Sequence, residues 1–322
     1  MLWLILILII ASVGSIGAFI DNYAADVIFK KNKPEAFKFA SSFGYALLMI
    51  IAAVFFGIEH PGFWLIGVFT LAGFLDALGN IPYFQALKYQ ETTSITIIRQ
   101  ISPIFALTLG VLFLNQTISV MQLVAFFFVL SAAAVVLFAS TGRRKNKFEP
   151  KTISTMLIAI FIWVVSDVVF VAGFVNAVDH EVFSSSTTAI WTALFWFALG
   201  KGALPFVLGF ALKSWRTRLK RVWRDSGRQF ALWATISNVI RVSLDCIWRF
   251  VITIAPLALL NVVGNVTRLL FTFGFGLALS VIWPIFGREK ITKKAIMAHL
   301  IAVVLAVIGV ILLQTNMLEI DL

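Results

Sequence analysis

The chain has 322 residues, 61% of them hydrophobic and 13% charged. Soluble domains run at about 45–50% apolar and about 25% charged, so the composition is that of a membrane protein. The formal net charge of +11 would suit nucleic acid, but the basic residues fall in short loops between apolar runs, which makes them topology signals and excludes a nucleic-acid partner.

A bilayer is crossed by about 20 apolar residues. Five runs reach that length in the first half, at 2–28, 36–57, 63–87, 92–114 and 119–140. Five more follow at 152–177, 184–211, 229–254, 256–286 and 292–314. The runs lack period-2 alternation, so a β-barrel is not expected. The expected fold is an all-α polytopic membrane protein with ten transmembrane helices. Leu2–Ile10 follows no Lys or Arg and has no small-residue cleavage site, so it reads as the first span and not as a leader.

Taken in order, the spans carry unusual polar residues. The first holds Asp21, Asn22 and Asp26, and the third holds Asp76 and Asn80. The fourth holds Arg99, four residues before Pro103, whose missing N–H weakens the helix ladder one turn back. The sixth holds Asp167 beside Ser166, with no cation within one helical turn. In the seventh, Lys201 lies between Gly200 and Gly202, which predicts a flexible or broken segment lining a cavity, or else a side chain that snorkels toward the adjoining basic loop. The eighth holds Arg241, Asp245 and Arg249 at i, i+4 and i+8, which puts all three on one face. The ninth holds Arg268. Charges at bilayer depth are costly and mark pathways by default. The alternative is a salt-bridged structural stripe, with Asp76 neutralising Arg99 and Asp245 neutralising Arg268.

Of the 26 Lys and Arg residues, 21 lie in odd-numbered loops and their flanks: 30–38, 88, 143–151, 213–228 and 288–294. The other five are in spans, and the even-numbered loops and termini have none. Positive loops face the cytoplasm, so both termini are expected outside a cytoplasmic or plasma membrane. Five spans per half turn the second half upside down, giving a 5+5 inverted-topology repeat. Its parts would be residues 1–140, a basic cytoplasmic linker at 141–151, and residues 152–322. Asp76 and Arg99 recur as Asp245 and Arg268, each pair 23 residues apart and shifted by 169. Beyond the fourth and ninth spans the shift becomes 173, as in Phe113/Phe286 and Ala125/Ala298. Those four residues amount to about one extra helical turn. A duplicated charged pair inside an inverted repeat is the pattern of a transporter with a polar midplane site.

The stretch Tyr83-Phe84-Gln85-Ala86-Leu87-Lys88-Tyr89, followed by Ile101-Ser102-Pro103-Ile104-Phe105 and Leu109-Gly110-Val111-Leu112-Phe113-Leu114, resembles the EamA type of the drug/metabolite transporter superfamily. Phe286-Gly287-Arg288-Glu289-Lys290-Ile291-Thr292 is similar near the end of the second half. Asn115-Gln116 stands where that family has Gly-Glu, and the ninth span lacks a counterpart of Pro103. The resemblance implies that the fourth and ninth spans line the central site, bringing Arg99 and Arg268 together across a pseudo-two-fold axis. Intramembrane arginines are not general features of that family, and they argue against a purely apolar substrate.

A guanidinium fork suits carboxylate or phosphate. The expected function is therefore secondary active transport, by alternating access, of a small anionic or zwitterionic metabolite. The residues proposed for substrate are Arg99, Arg268, Asp76, Asp245, Arg241, Arg249, Asn80 and Lys201. Asp167 and Asp21 are candidate seats for a coupling proton. A flippase for a lipid-linked anion, or an exporter of drugs or amino acids, is the alternative. No Walker motif, catalytic dyad or metal-spaced group is present; His60, His180 and His299 lie at or near predicted span ends, and Cys246 is the one cysteine. No enzyme activity, cofactor or metal is therefore expected. Partners beyond substrate and membrane lipid are not specified, and monomer and homodimer both stay open.

Overall fold

The computed structural model describes residues 2–23, 44, 46–47, 49–51, 53–87, 92–116, 119–141, 150–282 and 293–318. Its named helices are α1 (Leu2–Tyr23), α2 (Phe63–Leu87), α3 (Thr92–Arg99), α4 (Ser102–Leu114) and α5 (Val120–Thr141), then α6 (Pro150–Asp179), α7 (Ser186–Ala211), α8 (Lys213–Ile254), α9 (Leu257–Ile282) and α10 (Lys293–Leu318). The described residues between 44 and 56 are helical as well, and no strand occurs among the described residues. Asp26, Lys88, most of the linker at 141–151 and the basic stretches at 30–38 and 288–290 lie outside them.

Among the described residues, four stretches are long and apolar enough to cross a membrane: Leu2–Asp21, Phe63–Leu87, Pro150–Asp179 and Leu257–Gly276. Twenty residues at about 1.5 Å each give the ~30 Å of a bilayer core. The outer surface carries large apolar side chains, including Phe55 (79% exposed), Phe63 (86%) and Trp64 (75%). Water would drive such a surface to associate, whereas lipid tails solvate it. Ile7, Phe69, Phe84, Phe170, Phe197, Val251 and Leu260 belong to one buried cluster that joins the two halves of the chain.

The fourth predicted span is broken as Pro103 suggests. α3 stops at Arg99, Gln100 and Ile101 turn, and α4 begins at Ser102 with Pro103 in its first turn. Pro103 has no N–H to offer the Arg99 carbonyl, and its ring crowds that oxygen. The Gln100 side-chain amide donates to the Asn265 carbonyl at 2.9 Å, tying the break to α9. At the far end of α4, Asn115 has φ 52° and ψ 29°. Asn and Gly are the residues that adopt this left-handed conformation readily, which accounts for Asn where the family has Gly.

Two expectations are corrected. The basic stretch 213–228 is not a loop: it forms the first part of α8, a helix of 42 residues. Its Lys, Arg, Leu and Trp residues are compatible with helix and no proline intervenes, so low apolarity alone made it read as a loop. Leu212, in an extended conformation (φ −122°, ψ 106°), is the break before it. Nor do Gly200 and Gly202 interrupt their helix, because α7 runs unbroken through Lys201. A Cβ on Gly200 would run into the Thr70 carbonyl of α2, and one on Gly73 into the Phe197 carbonyl of α7. These glycines bring α2 and α7 into backbone contact, the role small residues play between membrane helices.

α2 packs on α6 and α7, and α1 on α8 and α9. α3 and α4 lie against both α6 and α9, while α5 pairs with α10. The turn after α6 reaches the loop at 57–62, where the Ser184 hydroxyl and backbone N–H both donate to the Glu59 carboxylate. These bonds, the hydroxyl's first and the amide's second, hold the Glu59 carboxyl below the usual carboxylate range.

Candidate substrate-binding cavity

A cavity of about 170 Å³ opens between α1, α2, α3, α4, α6, α7, α8 and α9, far more than the ~10–15 Å³ one water needs. All ten residues singled out in the sequence border it: Asp21, Asp76, Asn80, Arg99, Asp167, Lys201, Arg241, Asp245, Arg249 and Arg268.

The α8 stripe forms the hub, because its members pair with other helices and not with one another. Arg241 binds Asp21 of α1. Asp245 binds Lys201 of α7 at 2.5 Å. Arg249 Nη1 donates to Asp167 Oδ1 of α6 at 2.7 Å, and its Nη2 lies 3.7 Å from Asp76 Oδ1 of α2. Arg249 is 2% exposed, with its guanidinium 4.1 Å from the centre of the Phe197 ring and 4.9 Å from that of Phe170. Such stacking suits the weakly hydrated guanidinium.

The pairing within each half does not occur. Both duplicated aspartates turn to one cation instead: Lys201 Nζ lies 2.6 Å from Asp76 Oδ2 and 2.5 Å from Asp245 Oδ2. Lys201 therefore points inward and does not snorkel. Asp167 had no cation near it along the chain, but Arg249 reaches it from α8 and the Trp248 indole donates to it at 3.3 Å. Asn80 serves α2 itself, its amide donating to the Asp76 carbonyl at 2.9 Å.

Arg99 and Arg268 stand apart from this network. Among the described residues neither has a carboxylate within 4.0 Å. Arg99 lies over the Trp163 ring, 5.1 Å from its centre, and the Trp163 indole donates to the Asp76 carbonyl at 3.2 Å. Arg268 lies against Gly14 of α1, where a Cβ would collide with its guanidinium. Its Nε is buried without a hydrogen-bond partner. Glycine at 14 is what lets this side chain cross α1.

Sequence reasoning missed several lining residues. Tyr83 entered only as part of a motif, although its ring packs 5.3 Å from Trp163 inside the cavity. Ser102 donates to Asn261 Oδ1 at 2.9 Å and so joins α4 to α9. Asn261, Asn265 and Arg268 follow i, i+4, i+7 spacing on α9, the same signal that marked α8.

Residues 1–138 match the model of the EamA-like transporter family, which lies in the drug/metabolite transporter superfamily. Over those residues the chain is similar to that family. Members of this family are transporters and not enzymes. No curated protein matches the chain. One crystal structure of another protein aligns over 97% of this chain and 99% of its own, with a TM-score of 0.57 at 15% identity, a likeness of fold alone. With this similarity and its apolar helices, the chain is a multi-pass membrane protein.

Proposed function

We propose that this EamA-like chain is a secondary transporter that moves a small anionic or zwitterionic metabolite by alternating access, with Arg99 and Arg268 holding the anionic group. The observation that carries the reading is the pair of arginines on one cavity, both without a carboxylate partner among the described residues. Lone cations at bilayer depth belong to pathways, and two guanidinium forks fit an oxyanion.

The repeats in this reading are residues 1–140 and 152–322, five spans each, joined by the linker 141–151. Helix packing supports it. Exchanging the halves turns the α1–α9 contact into α6 with α3–α4, and α1–α8 into α6–α2, while α5–α10 maps onto itself. Both termini lie outside the cell membrane in this reading. The Glu59–Ser184 contact favours that, because it joins two of the loops without basic residues. Cysteine labelling in a Cys246→Ser background tests the orientation: a cysteine at Ser184 should react with an impermeant maleimide from outside and one at Arg221 only after lysis. The reverse pattern would overturn it.

Arg99→Ala and Arg268→Ala should each lower transport into proteoliposomes by at least about tenfold, the loss of ~1.4 kcal/mol in binding, while the protein still inserts and purifies. Normal transport by both variants would sink the cavity assignment. We place a coupling proton on Asp167 in preference to Asp21, because Asp167 belongs to a cluster with three carboxylates (Asp76, Asp167, Asp245) against two cations (Lys201, Arg249).

A further inference from the structure

Resting on that assignment, we infer that the cavity takes a cargo of one net negative charge and rejects net-neutral zwitterions. The described lining holds five cations (Arg99, Lys201, Arg241, Arg249 and Arg268) and four carboxylates (Asp21, Asp76, Asp167 and Asp245), an excess of one positive charge. The excess is not spread evenly. Arg241 and Asp21 cancel. Lys201 and Arg249 face three carboxylates, which leaves one negative charge on that side. Arg99 and Arg268 supply two positive charges elsewhere in the lining.

A zwitterion would set its carboxylate on the arginines and its ammonium on the acidic cluster. That second seat is already taken by an ammonium of the protein. Lys201 Nζ sits between Asp76 Oδ2 and Asp245 Oδ2, and Arg249 fills the space beside Asp167 against two phenyl rings. A cargo ammonium would have to displace one of them into apolar surroundings, where an unpaired charge is costly. A monoanion displaces nothing, and it neutralises the wall before the cavity closes. A proton taken up by the cluster would raise the excess to two and match a dianion, so cargo charge and proton count are linked.

The test uses the full chain in detergent at pH 8 and a small-molecule extract of cells, separated by anion exchange into net-neutral, singly charged and multiply charged pools. The singly charged pool should raise the melting temperature by about 5 °C when its ligand is at ~100 times Kd. Arg99→Gln and Arg268→Gln should abolish the rise, and Arg99→Lys and Arg268→Lys should keep part of it, which separates lost charge from lost folding. Asp245→Asn adds one positive charge and should move the preference to the multiply charged pool. Phosphatidylglycerol, a monoanionic lipid, is tested beside the pools: a rise with it alone would support the charge class and assign the anion to lipid. A rise with the neutral pool alone or the multiply charged pool alone, or with nothing, overturns the inference. If the neutral pool acts and the Gln variants abolish it, the arginine assignment stands and only the charge inference falls. If the singly charged pool stabilises wild type and both Gln variants alike, the assignment itself falls.

Discussion

Arg249 shows how one residue comes to depend on four helices. It is anchored on α8, stacked against Phe170 of α6 and Phe197 of α7, and held by Asp167 of α6 and Asp76 of α2. Removing one partner of a buried ion pair strands the other, at a cost of about 3–5 kcal/mol. Arg249→Met and Asp167→Asn should therefore each destabilise the protein strongly in thermal or denaturant unfolding. The double variant should cost clearly less than the two together. Strict additivity would mean that the two side chains are not coupled. Read for transport at two pH values, Asp167→Asn also tests the proton seat, since unchanged pH dependence would exclude Asp167.

Among the elements, the break between α3 and α4 governs where Arg99 points. Pro103 denies the Arg99 carbonyl its helical donor, so α3 ends at Arg99 and the chain restarts at Ser102. Pro103→Ala supplies that donor. We expect the two helices to join, Arg99 to rotate away from Trp163, and transport to fall with little loss of folding. Unchanged transport would show that the break does not aim the arginine. α8 teaches the opposite lesson about legibility. Its stripe was readable from spacing because i, i+4, i+8 holds wherever the segment is helical. Its first part at 213–228 was not, because a basic helix outside the lipid has no long apolar run to announce it.

Over the whole molecule, contacts between loops distant in sequence tie the halves together. Glu59 and Ser184 are 125 residues apart and meet at one end of the bundle. The carboxyl of Glu59 is held below its ordinary range, so its contribution to stability is present above about pH 4 and is lost as the pH falls through the folded value. Wild type should be more stable than Glu59→Gln at neutral pH, and the gap should close on acidification toward pH 3. A gap that stays constant with pH would show that the carboxylate charge is not involved.

Composition and the spacing of charges determined the all-helical membrane class, the four clear apolar spans, and the ten polar residues that border the cavity. Such features follow from transfer energies and helical periodicity, both properties of local sequence. Which cation serves which carboxylate was decided only in three dimensions. The structural alternative paired Asp76 and Asp245 with arginines 23 residues away, yet both meet Lys201, because side chains pair by distance across packed helices. The same packing gave Asp167 its cation from α8 and, among the described residues, left Arg99 and Arg268 without a carboxylate partner. The duplicated Asp and Arg are thus separated into a filled ionic cluster and two guanidinium groups that border the same cavity.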